Sequence, residues 1–365
     1  MNHRGRRGRF ALLSAACFLA LGSQAVANTV TQNVSWTINR SDSSTKYRVT
    51  AYGDSIYAGY YGSISRVALF AGPHVQGDYA QTKWKRDVEI IRRAKSGAKA
   101  DDIYNNKIVK ERSYMQTSNT RVVTFEMCGN DGLQARSNFA GQTGTCNYGP
   151  LNTALSNCTT YLQKAMQYIN ANAHANVKLK VVGNLHYPGY DADNALSRCT
   201  DSSTGQKVNK QDVFLPYLAR MNWRACNFAN SYGFKCADNF AQYMGSDYDR
   251  NGDGAVDSDA LKYVQGESES AYVNRLTNTL RSTIRDANFK LVSSTTSYDY
   301  ILSDNTHPTY AGGTVYVGLF GGTGSGSSAP DFPDSWYVGG KNPIWNQYGH
   351  ERWGWALSVF NPAAP

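Results

Sequence analysis

The chain alternates short runs rich in β-branched and aromatic residues with longer stretches in which apolar residues recur at helical spacing. The short runs predict strands at 47–52, 88–92, 121–127, 177–182 and 289–292. The longer stretches predict helices at 100–109, 153–173, 211–232 and 269–287. Strands that alternate with helices of this length favour an α/β fold, in which a parallel sheet is covered by helices on both faces.

No internal repeat and no obvious linker divides the chain, so we expect a single domain over residues 28–365. Its first part, 28–45, is polar and rich in Ser, Thr and Asn, although Val and Trp alternate within it. We interpret this part as a lead-in arm that precedes the first strand.

Polar residues that could carry chemistry follow the predicted strands. Ser55, Gly97 and Asn130 come after the first three strands, and His307 lies late in the chain. Open α/β sheets bind their ligands at the carboxyl ends of the strands. We therefore expect these four residues to meet at one edge of the sheet.

These positions fit nucleophilic catalysis. A serine hydroxyl such as that of Ser55 is a weak nucleophile until a base takes its proton, and His307 could be that base. Asp304, three residues earlier, could hold the imidazole in the required tautomer. The Gly97 N–H, the Asn130 amide and the Ser55 N–H could donate to a developing oxyanion.

Each motif also has a purely structural interpretation. Gly-Asp-Ser at 53–55 and Gly-Asn-Asp at 129–131 are common turn sequences, and 304–308 could be a capped loop with an exposed histidine. The consistent order of the motifs after predicted strands favours the catalytic interpretation.

His186 also follows a predicted strand but lacks an acidic neighbour at the equivalent spacing. We expect it to pack or hydrogen-bond near the rim of the site.

In this order the motifs resemble those of the SGNH (GDSL-type) hydrolase superfamily. The matching blocks are 52–56 (YGDSI, with Ile where Leu is usual), 96–98 (SGA), 129–131 (GND) and 304–308 (DNTHP). The resemblance covers about residues 47–358. It implies a three-layer α/β/α sandwich with a parallel central sheet, which is a flavodoxin-like arrangement.

The resemblance also implies ester hydrolysis through an acyl-enzyme. Ser55 would be the nucleophile, His307 the base and Asp304 its orienting carboxylate, while Gly97 and Asn130 would be the oxyanion donors. One departure stands out, because about forty residues separate the His307 motif from the helix expected at 348–357. Residues 311–347 are therefore predicted to be an insertion, which either forms part of the substrate wall or is a disordered Gly/Ser loop.

A second pattern predicts a calcium site. From residue 249, oxygen-bearing side chains occupy loop positions 1, 3, 5 and 9 with Gly at position 6, as in an EF-hand loop. The candidate ligands are Asp249, Asn251, Asp253, Ala255 (through its carbonyl), Asp257 and Asp259. Ala260 replaces the usual bidentate Glu. We expect a structural Ca²⁺ ion in an insertion at about 245–268, the alternative being an acidic Gly-rich turn, and we expect no organic cofactor.

The N-terminus has the features of a signal peptide. Residues 1–27 combine a basic start, an apolar run from 10 to 21 and an Ala-Val-Ala cleavage site. A lipoprotein signal at Cys17 and a twin-arginine signal at Arg6-Arg7 fit less well. We expect a mature chain that begins at Asn28 and is secreted or periplasmic.

Six cysteines remain after residue 27, and an even number in an exported protein predicts three disulfides. Pairing of nearest neighbours would join 128 to 146, 158 to 199 and 226 to 236, although fifteen connectivities are open for six cysteines. No C-x-x-C pair is present, which argues against zinc.

Composition excludes several classes of protein. The chain has 365 residues and is 41% hydrophobic, which is enough for a full core. Its one extended apolar run is N-terminal and too short to span a membrane, which rules out an integral membrane protein. Its formal charge of +9 falls to about +5 once the four arginines of residues 1–27 are set aside, because that segment contains no acid. No basic run is interleaved with aromatic residues, so we expect no nucleic-acid partner. We expect a monomer.

The sequence thus predicts a secreted serine esterase. Its substrate would be a lipid or acyl ester, or an O-acetylated carbohydrate, and the aromatic loops favour neither. The alternative is a catalytically inactive, calcium-stabilised module of the same fold that binds a carbohydrate or a surface.

Overall fold

A computed structural model of the chain confirms the α/β fold. It describes residues 30–38, 45–61, 66–186, 193–243, 261–282, 290–292, 297–299, 301–302, 304, 306–310, 314–316, 323–326 and 348–363. The predicted signal peptide, the predicted calcium loop and most of the predicted insertion 311–347 lie outside these ranges.

The described ranges contain fourteen strands, of which five match the predicted runs. In chain order they are β1 (Val30–Ile38), β2 (Lys46–Gly53), β3 (Arg66–Ala68), β4 (Asp87–Ser96), β5 (Thr120–Phe125), β6 (Gly144–Thr145), β7 (Leu179–Gly183), β8 (Leu196–Thr200), β9 (Lys207–Asn209), β10 (Lys235–Ala237), β11 (Lys290–Val292), β12 (Ser297–Asp299), β13 (Thr314–Tyr316) and β14 (Thr323–Gly326).

The α-helices lie between them. They are α1 (Ser55–Ala58), α2 (Gly72–Trp84), α3 (Ala100–Ile103), α4 (Gly129–Gly141), α5 (Gly149–Asn172), α6 (Lys210–Tyr232), α7 (Asn239–Tyr243), α8 (Glu269–Ser282) and α9 (Gly349–Ser358). A π-helical turn (Tyr104–Val109) continues α3, and a 3₁₀ turn (Arg112–Tyr114) follows it.

The central sheet has the order β10-β7-β5-β2-β4-β1-β14. Its first five strands are all parallel, whereas β1 runs antiparallel to β4. The chain leaves β2 towards β4 and then crosses back to β5, so the connections from β2 and β5 diverge. Such a switch point opens a crevice at the carboxyl ends of the two strands, where ligands bind.

Alternate residues of the parallel strands enter two separate cores. Val49 and Ala51 of β2 pack with the residues of α2, α8 and α9. Tyr52 of the same strand packs on the other face, with residues of α5. The alternation follows from the two-residue period of a strand. The molecule is therefore an α/β/α sandwich, as predicted.

Three predictions about the sheet were wrong. The insertion predicted at 311–347 was interpreted as a substrate wall or a disordered Gly/Ser loop, but its residues 323–326 form β14, which pairs with β1 in the central sheet. Glycine and serine have little strand propensity, so no local pattern marked this strand. The supposed lead-in arm contains β1, which pairs with β4 over nine residue pairs, and Gln32 and Asn33 of this strand are buried. The strand was interpreted as an arm because its polar residues were expected to be exposed. The predicted fifth strand forms β11 but pairs with β12 in a separate two-stranded sheet, and the three-residue β10 takes the place at the sheet edge.

The disulfide pairing was also partly wrong. The six cysteines form three disulfides as predicted, but the pairs are Cys128–Cys158, Cys146–Cys199 and Cys226–Cys236. Only the last is a nearest-neighbour pair. The Cys128–Cys158 disulfide joins the start of α4 to α5. A pairing chosen to close the shortest loops could not reveal this contact between consecutive helices.

Within the described ranges, no helix is long and apolar enough to cross a membrane. The same residues contain no group of three or more His, Cys, Asp or Glu side chains that could hold a metal ion. The calcium site stays a prediction, since 249–259 lie outside the described residues.

Candidate active site

Ser55 lies in a tight turn at the carboxyl end of β2. Asp54 caps α1, accepting a hydrogen bond from the Ile56 N–H at 2.8 Å, and Ser55 is the first residue of that helix. A Cβ atom at Gly53 would lie 2.5 Å from Glu126 Oε1 and 2.8 Å from Tyr57 Cβ, so only glycine fits there. The turn holds the Ser55 side chain at the switch point of the sheet, with 7% of the residue exposed.

Asp304 holds His307 through two atoms. Its Oδ1 accepts hydrogen bonds from the His307 N–H at 2.9 Å and from the Thr306 N–H at 3.0 Å. Its Oδ2 lies 2.6 Å from His307 Nδ1, and because a carboxylate only accepts, Nδ1 carries the proton. Burial alone would raise the pKa of Asp304, but its hydrogen bond with His307 and its electrostatic attraction to that ring together lower it.

His307 Nε2 is therefore the basic nitrogen of the ring. It is buried and has no hydrogen-bond partner among the described residues, so the hydrogen bond to Ser55 is not formed in this structure. Such catalytic hydrogen bonds are often long in unliganded enzymes and tighten when substrate binds. The Tyr60 ring packs against the imidazole, with the two ring centroids 4.5 Å apart.

Asn130 is the second residue of α4 and lies beside the serine turn. Its Nδ2 donates one hydrogen bond to Asp54 Oδ2 at 2.9 Å, which leaves the second amide hydrogen for a ligand. Cys128, just before α4, has a left-handed backbone (φ 86°), which costs a non-glycine residue about 1–3 kcal/mol. Its disulfide to Cys158 fastens this strained corner to α5.

Gly97 follows β4 in a left-handed conformation (φ 75°) that glycine adopts without strain. Its carbonyl accepts a hydrogen bond from Gln134 of α4 at 3.3 Å. Asp131 accepts from the Ala100 N–H at 2.8 Å and thereby ties the Gly97 loop to the start of α4. Burial raises the pKa of Asp131 to about 6.

One open cleft brings the predicted residues together. Its walls include Ser55, Gly97, Asn130, Asp304 and His307. The sequence predicted that Ser55, Gly97, Asn130 and His307 meet at one edge of the sheet, and the structure brings these four residues and Asp304 to one surface.

The sequence assigned His186 no role beyond the rim, but the structure places it directly under the histidine loop. Its Nδ1 accepts a hydrogen bond from Trp353 Nε1 at 3.2 Å, so the ring proton is on Nε2, which donates to the Thr306 carbonyl at 2.9 Å. Burial lowers the pKa of His186 to about 4, so the ring is neutral at pH 7. Its position after β7 was the available sign, since the other site residues also follow strands.

A buried pair of carboxyl groups under the serine turn had no signal in the sequence. Glu126 Oε1 accepts a hydrogen bond from the Asp54 N–H at 2.6 Å, and both side chains are fully buried. Burial and the neighbouring Asp54 charge raise the pKa of Glu126 well above its ordinary value. Glu126 thus braces the turn through the Asp54 N–H, in surroundings that favour its neutral form.

Comparison with known proteins yields similar structures only. No protein-family model matches the chain, and no curated protein matches it. Similar solved structures include a lipase from a goat rumen metagenome, at 17% identity over 65% of this chain and 96% of the other, with a TM-score of 0.41. Phospholipase A1 from Streptomyces albidoflavus is 16% identical over 65% of this chain and 99% of its own, with a TM-score of 0.40. An acetylxylan esterase from Geobacillus stearothermophilus is 13% identical over 69% and 98%, with a TM-score of 0.38. Similarities this low carry no argument about the reaction.

Proposed function

We propose that this protein is an exported serine hydrolase that cleaves carboxylic esters through an acyl-enzyme. The observation that carries the proposal is the Asp304–His307 pair. It fixes the proton on Nδ1 and leaves Nε2 as a base in the cleft that Ser55 also lines. A general base beside a serine hydroxyl in one cleft is what acyl transfer requires.

In the first half of the reaction, Ser55 Oγ attacks the ester carbonyl carbon while His307 Nε2 takes the hydroxyl proton. Asp304 keeps the ring oriented and stabilises the imidazolium that forms. His307 then gives the proton to the departing alcohol, and the acyl group remains on Ser55. In the second half a water molecule replaces the alcohol, so that the acid is released and Ser55 regains its proton.

Negative charge develops on the carbonyl oxygen in both halves. The free hydrogen of the Asn130 amide and the N–H groups of Gly97 and Ser55 would receive it. Because Asp54 already holds the Asn130 amide at 2.9 Å, this donor needs little reorganisation during the reaction.

The three disulfides support an oxidising destination, either periplasmic or extracellular. The substrate we propose is an ester of a small molecule, a lipid or a polysaccharide, and the protein would act as a monomer with no nucleic-acid partner.

The test is hydrolysis of short p-nitrophenyl esters by the wild type, by Ser55→Ala and by the control Ser231→Ala, which alters an exposed serine of α6. We expect turnover by the wild type and the control, and a loss on the order of 10⁶ in kcat for Ser55→Ala. An inactive wild type would favour the non-enzymatic binding module instead. Retained activity in Ser55→Ala would remove Ser55 from the nucleophile role.

A further inference from the structure

A cavity of about 70 Å³ with an apolar lining opens beside Ser55, separate in character from the polar cleft. It lies between α4, α5 and α6. The side chains that give it its character are Leu133, Leu151, Phe214, Leu218 and Met221.

The cavity and the cleft meet at the nucleophile. Ser55 and Thr306 line both, as do Leu133 of α4 and Ala154 of α5. An ester whose carbonyl carbon lies at Ser55 can therefore place its acyl part and its alcohol part in two different spaces. One side enters the apolar cavity, and the other lies in the open polar cleft.

The basic residues around the cavity, Arg136 and His186, are unsuited to an anionic ligand. Arg136 is paired with Asp193, with Nε and Oδ1 2.7 Å apart, and its guanidinium lies over the Phe214 ring. His186 is held in its neutral form by Trp353, which donates to Nδ1. No uncompensated cation among these residues would bind a carboxylate or a phosphate.

We propose that this cavity binds the acyl chain of the substrate, and that the enzyme prefers uncharged acyl groups of several carbons, such as hexanoyl, over acetyl groups. The proposal rests on the proposed ester hydrolysis and names its substrate class. The alcohol part of the ester would occupy the polar cleft, which is open enough to accept alcohols of different size.

The size of the cavity sets the chain length. This volume of about 70 Å³ is well above the roughly 10–15 Å³ that a single water needs, so several methylene-sized groups fit beyond the carbonyl carbon. An acetyl group would occupy only the mouth and leave the remaining apolar surface without a partner. Each methylene that enters is expected to raise kcat/KM about fourfold.

Gly132 offers a way to fill the cavity without moving the backbone. A Cβ atom at this position meets Met221 Sδ at 3.8 Å, an ordinary contact, and both residues line the cavity. Gly132→Leu should therefore place its side chain in the space proposed for the acyl chain. Gly141→Leu is the matched control, because Gly141 ends the same helix and a Cβ atom there meets nothing within 4 Å.

The experiment compares kcat/KM for p-nitrophenyl acetate, butyrate, hexanoate and octanoate. In the wild type and in Gly141→Leu we expect hexanoate to exceed acetate on the order of a hundredfold, from four additional methylenes. In Gly132→Leu we expect acetate turnover to persist while this preference is lost. A wild type that prefers acetate, or a Gly132→Leu variant that loses all chain lengths equally, would overturn the proposal.

A binding measurement separates failure of this proposal from failure of the proposed reaction. Free octanoate, without the nitrophenyl group, should raise the melting temperature of Ser55→Ala more than free acetate does. Adding Gly132→Leu to this variant should abolish the difference. If the wild type hydrolyses no ester but octanoate still binds in this way, the proposed reaction fails and the cavity assignment stands. If esters are hydrolysed but octanoate gives no larger shift than acetate, the cavity assignment fails alone.

Discussion

The two halves of the candidate site are held in place by different means. The serine half, with Ser55 and Asn130, stands directly on the ends of the adjacent strands β2 and β5. The histidine half, with Asp304 and His307, lies on a loop that the central sheet does not reach. The two halves also differ in exposure. Asp54, which caps the serine turn, is 1% exposed as a residue, whereas 37% of the side chain of Asp304 is exposed.

Side chains from distant parts of the chain hold the histidine half. His186 donates to the Thr306 carbonyl at 2.9 Å. Thr309 accepts hydrogen bonds at its hydroxyl and its carbonyl from the Gly349 and His350 N–H groups, which begin α9. The difference shows that sheet topology fixes Ser55, the proposed nucleophile, whereas His307, the proposed base, depends on long-range contacts that a single substitution can remove.

The largest expected effect removes the base itself. His307→Ala should lower kcat on the order of 10⁶, as Ser55→Ala does, because the two residues act as one unit. Asp304→Asn should lower it by about 10⁴, since it disturbs the tautomer and leaves the ring. Steady-state kinetics measures both, with thermal denaturation to show that the variants fold. Turnover by His307→Ala above a few per cent of the wild-type value would contradict the assignment.

Asn130 tests the serine half by a smaller amount. Asn130→Ala should lower kcat by roughly 10²–10³ because it removes an oxyanion donor. KM should change little, since the interaction forms mainly in the transition state. If KM rises and kcat stays intact, Asn130 binds the substrate in its ground state instead.

His186 tests the side-chain support of the histidine half. His186→Leu should lower kcat by about 10², because the loop loses its contact at Thr306 and His307 shifts from its productive position. His186→Gln should recover most of this loss, since its amide can donate to Thr306 and accept from Trp353. Equal losses in the two variants would show that the hydrogen bonds to His186 do not position the base.

Glu126 tests the serine half through stability. A carboxyl group with a raised pKa binds its proton more tightly in the folded state, so the free energy of unfolding falls as pH rises above its ordinary pKa of about 4.3. Glu126→Gln keeps the acceptor for the Asp54 N–H and cannot ionise. The melting temperature of the variant relative to the wild type should therefore rise between pH 5 and pH 8. If the melting temperatures of the two proteins change with pH in parallel, the pKa of Glu126 is not raised in the folded state.

Calcium should affect neither half of the site. If residues 249–259 bind Ca²⁺ as the sequence predicts, EDTA should lower the melting temperature by a few degrees, with Ca²⁺ restoring it better than Mg²⁺. Asp253→Ala should remove this response. Activity far below the melting temperature should not change. Immediate loss of activity in a folded, EDTA-treated protein would place the metal in the active site.

The sequence predicted which candidate residues come together better than it predicted the elements that support them. Ser55, Gly97 and Asn130 were found because strand ends carry ligands in α/β folds, and that rule needs only the strands and the residues after them. The helices α2 and α4 were missed since their sequences lack a clear apolar stripe, and half or more of α2's buried positions are polar or glycine. The roles of His186 and Glu126 depend on contacts with residues more than seventy positions away, which no local pattern reveals.

The central claim is that His307 activates Ser55, and covalent labelling tests it without knowledge of the natural substrate. The wild type, Ser55→Ala and His307→Ala would be incubated with an alkyl fluorophosphonate, and the mass and position of the adduct followed over time. We predict one adduct on Ser55 in the wild type, none at that position in Ser55→Ala, and a rate reduced by orders of magnitude in His307→Ala. An adduct on another residue, or a labelling rate that His307→Ala leaves unchanged, would contradict the account.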